Sequence, residues 1–463
     1  YTLNVVPARY PESRVIQNTP FTPTRDRPLE IAVIGSGIAG IGTAWLLGRH
    51  HRVTLFEKND YLGGHTHTHR LDDGLGGEIA VDSGFIVCNR PNYPQLFGLF
   101  ETLGIETQAT DMSFGMSMDR GRLEYSGDNI NTLFAQRRNL LRPGFVRMVA
   151  EILRFNRLGK AALQNAGSAP SALDDMPLGH FLAANGFSPR LRDDYLLPMA
   201  AAIWSCPTRR MLDFPARSFL QFFDNHGLMN VQDRPQWETV SGGSRAYIDR
   251  MLEAGGFETL VAHPVTRIER CEAGIHLPEH GRRFDAVVSA AHADETLAML
   301  ADPDRRERDT LGAFRFQENR AFLHRDTRLM PRRRQVWSSW NYLGRRDADG
   351  GRAVAVTYWM NRLQKLECRH EWLVTLNPFE PPRDELVTGE FTYHHPVFDA
   401  RAVAAQADIP ALQGHRGMYY AGAWTGYGFH EDGLASAVAV ARAFGVSIPW
   451  DDASSNDRGT EAA

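Results

Sequence analysis

The chain has 463 residues, more than one ordinary hydrophobic core organises, so two domains are expected. Its 43% hydrophobic and 23% charged residues are the balance of a globular protein, and a net charge of −4 excludes a generally basic nucleic-acid binder. No apolar run approaches the ~18 residues that a membrane-spanning helix requires.

Residues 1–28 are polar and interrupted by Pro7, Pro11, Pro20, Pro23 and Pro28; without an apolar core they are no secretory signal and read as a loosely ordered arm. Ile31–Ile34 predicts a short buried strand. It runs into Gly35-Ser-Gly37-Ile38-Ala39-Gly40 and then into a helix over Ile41–Leu47. In this strand–turn–helix setting Gly35 permits the tight turn, Gly37 lets the backbone approach a pyrophosphate, and Gly40 allows close helix–strand packing. The unpaired N–H groups of the helix start then face the phosphates. A second strand, Arg52–Phe56, ends in Glu57 and Lys58, and Glu57 is placed to accept from ribose hydroxyls. Together these residues predict dinucleotide binding.

Gly63-Gly64-His65-Thr66 follows. His65, His67 and His69 alternate as residues on one strand face do, but no carboxylate or cysteine cluster joins them and no metal is expected. Cys88, Cys206, Cys271 and Cys368 are widely spaced with no Cys-x-x-Cys pair, which predicts reduced thiols in a cytoplasmic protein and no zinc site.

Residues 134–160 carry Arg137, Arg138, Arg142, Arg147, Arg154, Arg157 and Lys160 against the single acid Glu151, a local net charge of +6. Phe145, Met148, Val149, Ile152 and Phe155 share one helical face, with Arg147, Glu151 and Arg154 on the other. Two readings stand: a basic amphipathic helix at a membrane surface, and a core-packed helix with a solvated basic face. Further on, Val240-Ser-Gly-Gly-Ser244 leads into a helix, and His263–Ile268 and Phe284–Ser289 read as strands. Gln335–Tyr342 and Ala353–Met360 read as aromatic strands. Near the far end, Met418–Ala421 predicts a strand. Gly422 opens a turn through Trp424, Gly426, Tyr427 and Gly428, and Gly433 begins a helix rich in small residues. The dipole of that helix would stabilise negative charge at its start, while Glu431 and Asp432 also fit as ordinary acids of a first helical turn. No second strand–glycine–helix unit appears; without a nicotinamide domain to reduce it, a bound redox cofactor is expected to be reoxidised by oxygen or another acceptor.

Several motifs carry a family likeness: Gly63-Gly-His-Thr-His-Thr68, Val81-Asp-Ser-Gly-Phe85, Asn89-Arg-Pro-Asn-Tyr-Pro94, Arg234-Pro-Gln-Trp237, Gly242-Gly-Ser244, Trp337-Ser-Ser-Trp-Asn-Tyr342 and Gly426-Tyr-Gly-Phe-His-Glu-Asp-Gly433. In these the chain resembles the flavin amine-oxidase and phytoene-desaturase superfamily, which includes protoporphyrinogen oxidase. It looks most like the bacterial flavoproteins associated with cyclopropane-fatty-acid-synthase-like methyltransferases. One branch of these is similar to the desaturases of methyl-branched acyl chains in furan fatty acid formation.

The resemblance implies FAD as cofactor and an α/β fold, a glutathione-reductase-type domain with an inserted α+β substrate domain. The FAD domain would be discontinuous, over 29–110, 234–300 and 412–447, with 111–233 and 301–411 as the substrate domain and 448–463 as a tail. It implies cofactor contacts from Gly35, Gly37, Ile38, Ala39, Gly40, Glu57, Lys58, Gly63, Gly64, His65, Thr66, Val265 (near the adenine), Gly422, Trp424, Asp432 and Gly433. His65 stands where many amine oxidases have arginine. Cys88 and Asn89 would run near the isoalloxazine, and Trp424 and Tyr427 would shape the flavin face.

The expected reaction is desaturation of a lipid acyl chain, with His430 as the leading catalytic base, Glu431 second and Tyr427 beside them. The expected partners are a lipid acyl substrate, the cytoplasmic membrane touched peripherally through about 134–160, and a methyltransferase of the same pathway, with no nucleic acid. Amine oxidation remains an alternative, although Lys365 does not match the usual setting of the flavin-side lysine. A carotenoid-type desaturase or isomerase and a non-catalytic flavin-binding partner remain as well.

Overall fold

The computed structural model describes residues 27–451 except 168–170, 175, 205–207, 231–233, 273 and 347–351. Residues 1–26 of the arm, 452–463 of the tail and Cys206 lie outside the described residues.

The cofactor half is built on a five-stranded parallel sheet. Its strands are β1 (Glu30–Ile34), β2 (Arg52–Phe56), β3 (Phe257–Leu260), β4 (Ala286–Ser289) and β5 (Met418–Tyr420), in the order β5-β4-β1-β2-β3. All four pairings are parallel. Strands covered on both faces read as continuous apolar runs, and β4 is buried along its whole length. Of the expected strand His263–Ile268 only Ile268 pairs, in a bridge with Leu300, and the edge beside β2 is taken by β3. Pro264 lacks a donor for a ladder. The segment instead hangs on the end of β2, with Ala262 N donating to Asn59 O (2.8 Å) and His263 N to Glu57 O (2.8 Å).

Helix α1 (Ile38–Leu47) is apolar on every side and buried at every residue, as a helix must be that packs between a sheet and another helix. The other helix is α6 (His430–Ala443), which begins three residues earlier than Gly433. Four further helices are used below: α2 (Pro94–Leu103), α3 (Pro143–Ala166), α4 (Ala216–Asn225) and α5 (Arg245–Ala254).

A seven-stranded sheet forms the second layer system. Its order is Val387–Val397, Arg315–His324, Leu373–Leu376, Arg352–Trp359, Trp340–Arg346, Phe114–Met118 and Leu123–Ser126. The first aromatic strand begins at Trp340 rather than at Gln335, because Arg334–Val336 is a 3-10 turn. Beside this sheet, Phe155, Leu178, Phe181, Leu182, Phe219 and Phe223 form the apolar centre of a helical layer. The face of α3 that carries Phe145, Met148 and Phe155 is therefore inside the protein, with Ile152 and Val149 packed at its margin. That corrects the reading in which this face meets a membrane. Glu151 is also buried, held by Arg147 Nε (2.9 Å) and by Ser188.

One carboxylate ties three distant segments. Asp82 is wholly buried at the end of the strand Glu78–Asp82. It accepts from Ser244 N (3.0 Å), Ser244 Oγ (2.8 Å), Thr68 Oγ1 (2.5 Å) and Gln364 Nε2 (2.8 Å). Its own N–H donates to Gln364 Oε1 (2.9 Å). Replacing Asp82 by alanine strands these buried donors. We expect a loss of about 3 kcal/mol in denaturant unfolding, from ~1–3 kcal/mol per unsatisfied buried group, and a smaller loss for Asp82→Asn.

Candidate active site

The phosphate loop follows from the positions of three glycines. Gly35 has φ +97, in the region that favours glycine, and its N–H donates to Phe56 O (2.8 Å). A Cβ on Gly40 would lie 1.7 Å from Gly35 O, so only glycine lets α1 start this close to the turn. A Cβ on Gly37, by contrast, would meet nothing within 4 Å. That open side, where α1 begins with Gly37, Ile38 and Ala39, is the cradle into which a pyrophosphate fits. A Cβ on Gly64 would stand 3.0 Å from Gly37 Cα, and Gly63 N donates to Ser36 O (3.1 Å). The Gly63-Gly64 loop thus lies against the same cradle.

At the end of β2, Glu57 is buried and accepts from Ser36 N (2.9 Å), Ser36 Oγ (2.6 Å) and Asn59 N (2.8 Å). It braces the glycine turn. Lys58 points outward into an ion pair with Glu295 (2.6 Å), more than half exposed. Val265 is buried against the cluster that includes Phe56.

His65 is enclosed by aromatic rings, 4.9 Å from Tyr393 and 5.3 Å from His395. Its buried Nε2 has no hydrogen-bond partner. Burial holds its pKa well below the usual histidine range, and the neighbouring His395, His292, His430 and His394 add to the effect. A buried donor or acceptor without a partner is uncommon in a folded protein and fits a ligand atom. Among the described residues no group of three or more His, Cys, Asp or Glu is arranged to hold a metal ion. The other two histidines of the His65–His69 run are engaged in ring packing: His67 stacks on Tyr61 (4.5 Å) and His69 on Phe391 (4.7 Å).

His430, at the start of α6, is not a free base. Its ring lies flat on Phe85 at 3.9 Å and 9°, and Nε2 is bonded to Tyr247 OH (2.5 Å) and Thr66 Oγ1 (3.2 Å). Burial lowers its pKa to about 3, so the imidazolium that a base must become is strongly disfavoured. The expectation for Glu431 is corrected too. Its two carboxyl oxygens accept from Gln95 N (2.8 Å) and Leu96 N (3.0 Å), the first turn of α2. It is a helix cap supplied by a different helix, and burial pushes it up to about 8. Asp432 caps its own helix through Phe429 N (2.9 Å) and is pushed up to about 6, again by burial.

Trp424 does not shape a flavin face. It is buried in the sheet's core, its Nε1 donating to Ala291 O (3.2 Å) and its ring 4.7 Å from Phe314. Tyr427 is 39% exposed, at the outer end of the motif. Gly422, at φ +151, donates to Ser436 Oγ (2.8 Å) of α6. Gly433 acts through close contact instead. A Cβ there would lie 2.8 Å from Ile38 Cγ2, so its bare backbone lets the first turns of α1 and α6 touch. Cys88 is buried, backbone-paired with Glu238, and its thiol is pushed upward by burial, which makes it inert. Asn89 Oδ1 accepts from Asn92 N (3.1 Å) at the turn into α2, while its buried Nδ2 has no hydrogen-bond partner.

Sequence reasoning missed Tyr247, Tyr393, His395 and His292. Tyr393 and His395 alternate on the strand Val387–Val397 and turn the same way, a period-two signal that was readable; Tyr247 has none.

A parallel sheet with a glycine cradle, a buried acid at the end of β2 and a late helix meeting the first one is the frame of an FAD-dependent oxidoreductase. The family model for flavin containing amine oxidoreductase matches residues 38–324, and the chain belongs to that family. A curated relative, 15-cis-phytoene desaturase of Narcissus pseudonarcissus, is 26% identical over 196 residues, which cover 39% of this chain and 32% of the relative. The match thus spans about a third of that protein's length. Among solved structures, a fatty acid isomerase from P. acnes that produces CLA superposes with a TM-score of 0.64 at 18% identity, covering 90% of this chain and 99% of that one. A putrescine oxidase double mutant gives 0.63 at 16%, covering 91% and 100%.

Two variants separate these roles. Glu431→Ala removes a helix cap, so we expect a loss of about 1–2 kcal/mol in thermal or chemical unfolding with the bound flavin still reducible by dithionite. His65→Leu removes the unpartnered buried nitrogen, so FAD binding measured by fluorescence should weaken by about tenfold, the worth of roughly one hydrogen bond.

Proposed function

We propose that this FAD-dependent oxidoreductase desaturates a lipid acyl chain, a methyl-branched unsaturated fatty acyl group. One observation carries the reading. The titratable groups gathered at the site are shifted by burial toward their uncharged forms: His65 well below its usual range, His395 to about 4, His430 to about 3, Glu431 up to about 8 and Asp432 up to about 6. Surroundings that penalise charge suit a hydrocarbon better than an ammonium.

Apolar rings continue away from the motif. Phe429, next to His430, stacks on Phe222 of α4 (5.0 Å), which stacks on His226 (3.9 Å), with Trp237 beyond at 6.2 Å. Phe429 also packs against the helical cluster of Leu178, Phe181 and Phe219. Lys365 supports the same reading by its position: it lines an outer groove with Asp73, Glu78 and Glu367.

Desaturation removes two hydrogens from adjacent or conjugated carbons, one with its electron pair, which bound flavin would accept, and one as a proton, which would pass to solvent. FAD held in the cradle would supply the electron acceptor. Gly37, Gly63 and Gly64 would admit its phosphates, Glu57 its ribose, and His65 Nε2 would offer a neutral hydrogen-bonding group. Tyr247 and Thr66 hold His430, and His430 stacks on Phe85, so these four side chains are fixed to one another.

The test is anaerobic bleaching of the visible band of the oxidised flavin. Phospholipid carrying methyl-branched monounsaturated chains should bleach it and yield a product two hydrogens poorer, whereas putrescine and other primary amines should leave it unchanged. Bleaching by the amines alone would replace this reading with amine oxidation.

A further inference from the structure

We infer that the surface made by the turn Arg137–Leu141 and the outer face of α3 docks on an anionic lipid bilayer. The inference goes beyond the acyl-chain reading, because it stands on exposure and charge rather than on the site. Among the described residues, seven large hydrophobic side chains are exposed, and five fall in one stretch: Ile130, Leu140, Leu141, Val146 and Leu153. Leu141 is 87% and Ile130 72% exposed. Single exposed leucines need no explanation, but a cluster of this kind does.

Val146 and Leu153 share the outer side of α3. Along α3 as far as Arg157 the exposed positions are Pro143, Gly144, Val146, Arg147, Ala150, Leu153 and Arg157; all but Gly144 recur at helical spacing and face away from buried Phe145, Met148 and Phe155. The turn before the helix adds exposed Arg137, Arg138, Leu140 and Leu141. Leucines are thus interleaved with arginines. The one acid between residues 129 and 160, Glu151, is buried beneath them and bonded to Arg147 and Ser188.

This combination chooses the occupant. Apolar tips that enter the acyl boundary, ringed by guanidinium groups at headgroup level, match a bilayer bearing negative charge. Arginine also suits phosphate as a planar multiple donor. Among the described residues no helix is long and apolar enough to cross a membrane, so the contact is a lying-on one.

The experiment is co-sedimentation of the FAD-loaded full chain with vesicles of fully saturated phospholipid. We expect strong binding to phosphatidylcholine containing about a third phosphatidylglycerol and weak binding to phosphatidylcholine alone, with release by high salt. The double variant Leu141→Glu/Leu153→Glu should lose at least tenfold in partitioning, as should Arg137→Glu/Arg138→Glu, with far-UV circular dichroism and flavin absorbance unchanged. Absence of binding that depends on phosphatidylglycerol, or binding undiminished in the leucine variant, overturns the proposal. So does a change from dimer to monomer in the leucine variant with vesicle binding intact, which would make this face a contact between copies. Saturated vesicles hold no oxidisable double bond, so this result is independent of the bleaching test.

Discussion

The architecture depends on one close approach, that of α1 and α6 at their first turns. A side chain on Gly433 would collide with Ile38, and one on Gly42 would lie 2.9 Å from Leu434. With both glycines the two helix starts lie side by side at the ends of β1 and β5. Helix N-termini present unpaired N–H groups and a partial positive charge. Two of them at one place make a strong setting for a pyrophosphate and for electron density delivered nearby. The rest of the cofactor half holds this junction in place: Glu57 braces the turn before α1, Ser436 fixes the turn before α6, and Glu431 fastens α2 beside it.

The second organising effect is dielectric. His430, His65, Glu431 and Asp432 are all titratable, and their crowding invites a story of acids and bases. Their hydrogen bonds describe something else. Each identified partner is a backbone amide, a hydroxyl or a ring, and burial moves each group toward neutrality. In such surroundings a side chain contributes shape and hydrogen-bond direction more readily than proton exchange.

Local chemistry explains which parts were legible in the sequence. β1, β2, β4 and β5 announce themselves as short apolar runs, and the glycines of the first turn have roles that stereochemistry alone assigns. The roles that depend on distant partners were not legible. Nothing around Glu431 says that it caps α2, whose first turn is more than 300 residues earlier (|i−j| = 336 for Gln95). Helical periodicity in α3 identified an apolar face correctly but cannot say whether protein or lipid covers it; the packing of Phe145, Met148 and Phe155 decided that. β3 went unread because its alternation is brief, and His263–Arg267, richer in β-branched residues, competed for the same place.

The junction of α1 with α6 also sets a timetable. β1 and α1 leave the ribosome early, but their partners β5 and α6 follow only after residue 418 has been added. Contacts this remote in sequence form late, and an unfinished sheet leaves apolar edges without cover. The nascent chain must carry a half-made nucleotide site until α6 has been added. A cradle made by both helices is complete only once α1 and α6 have met.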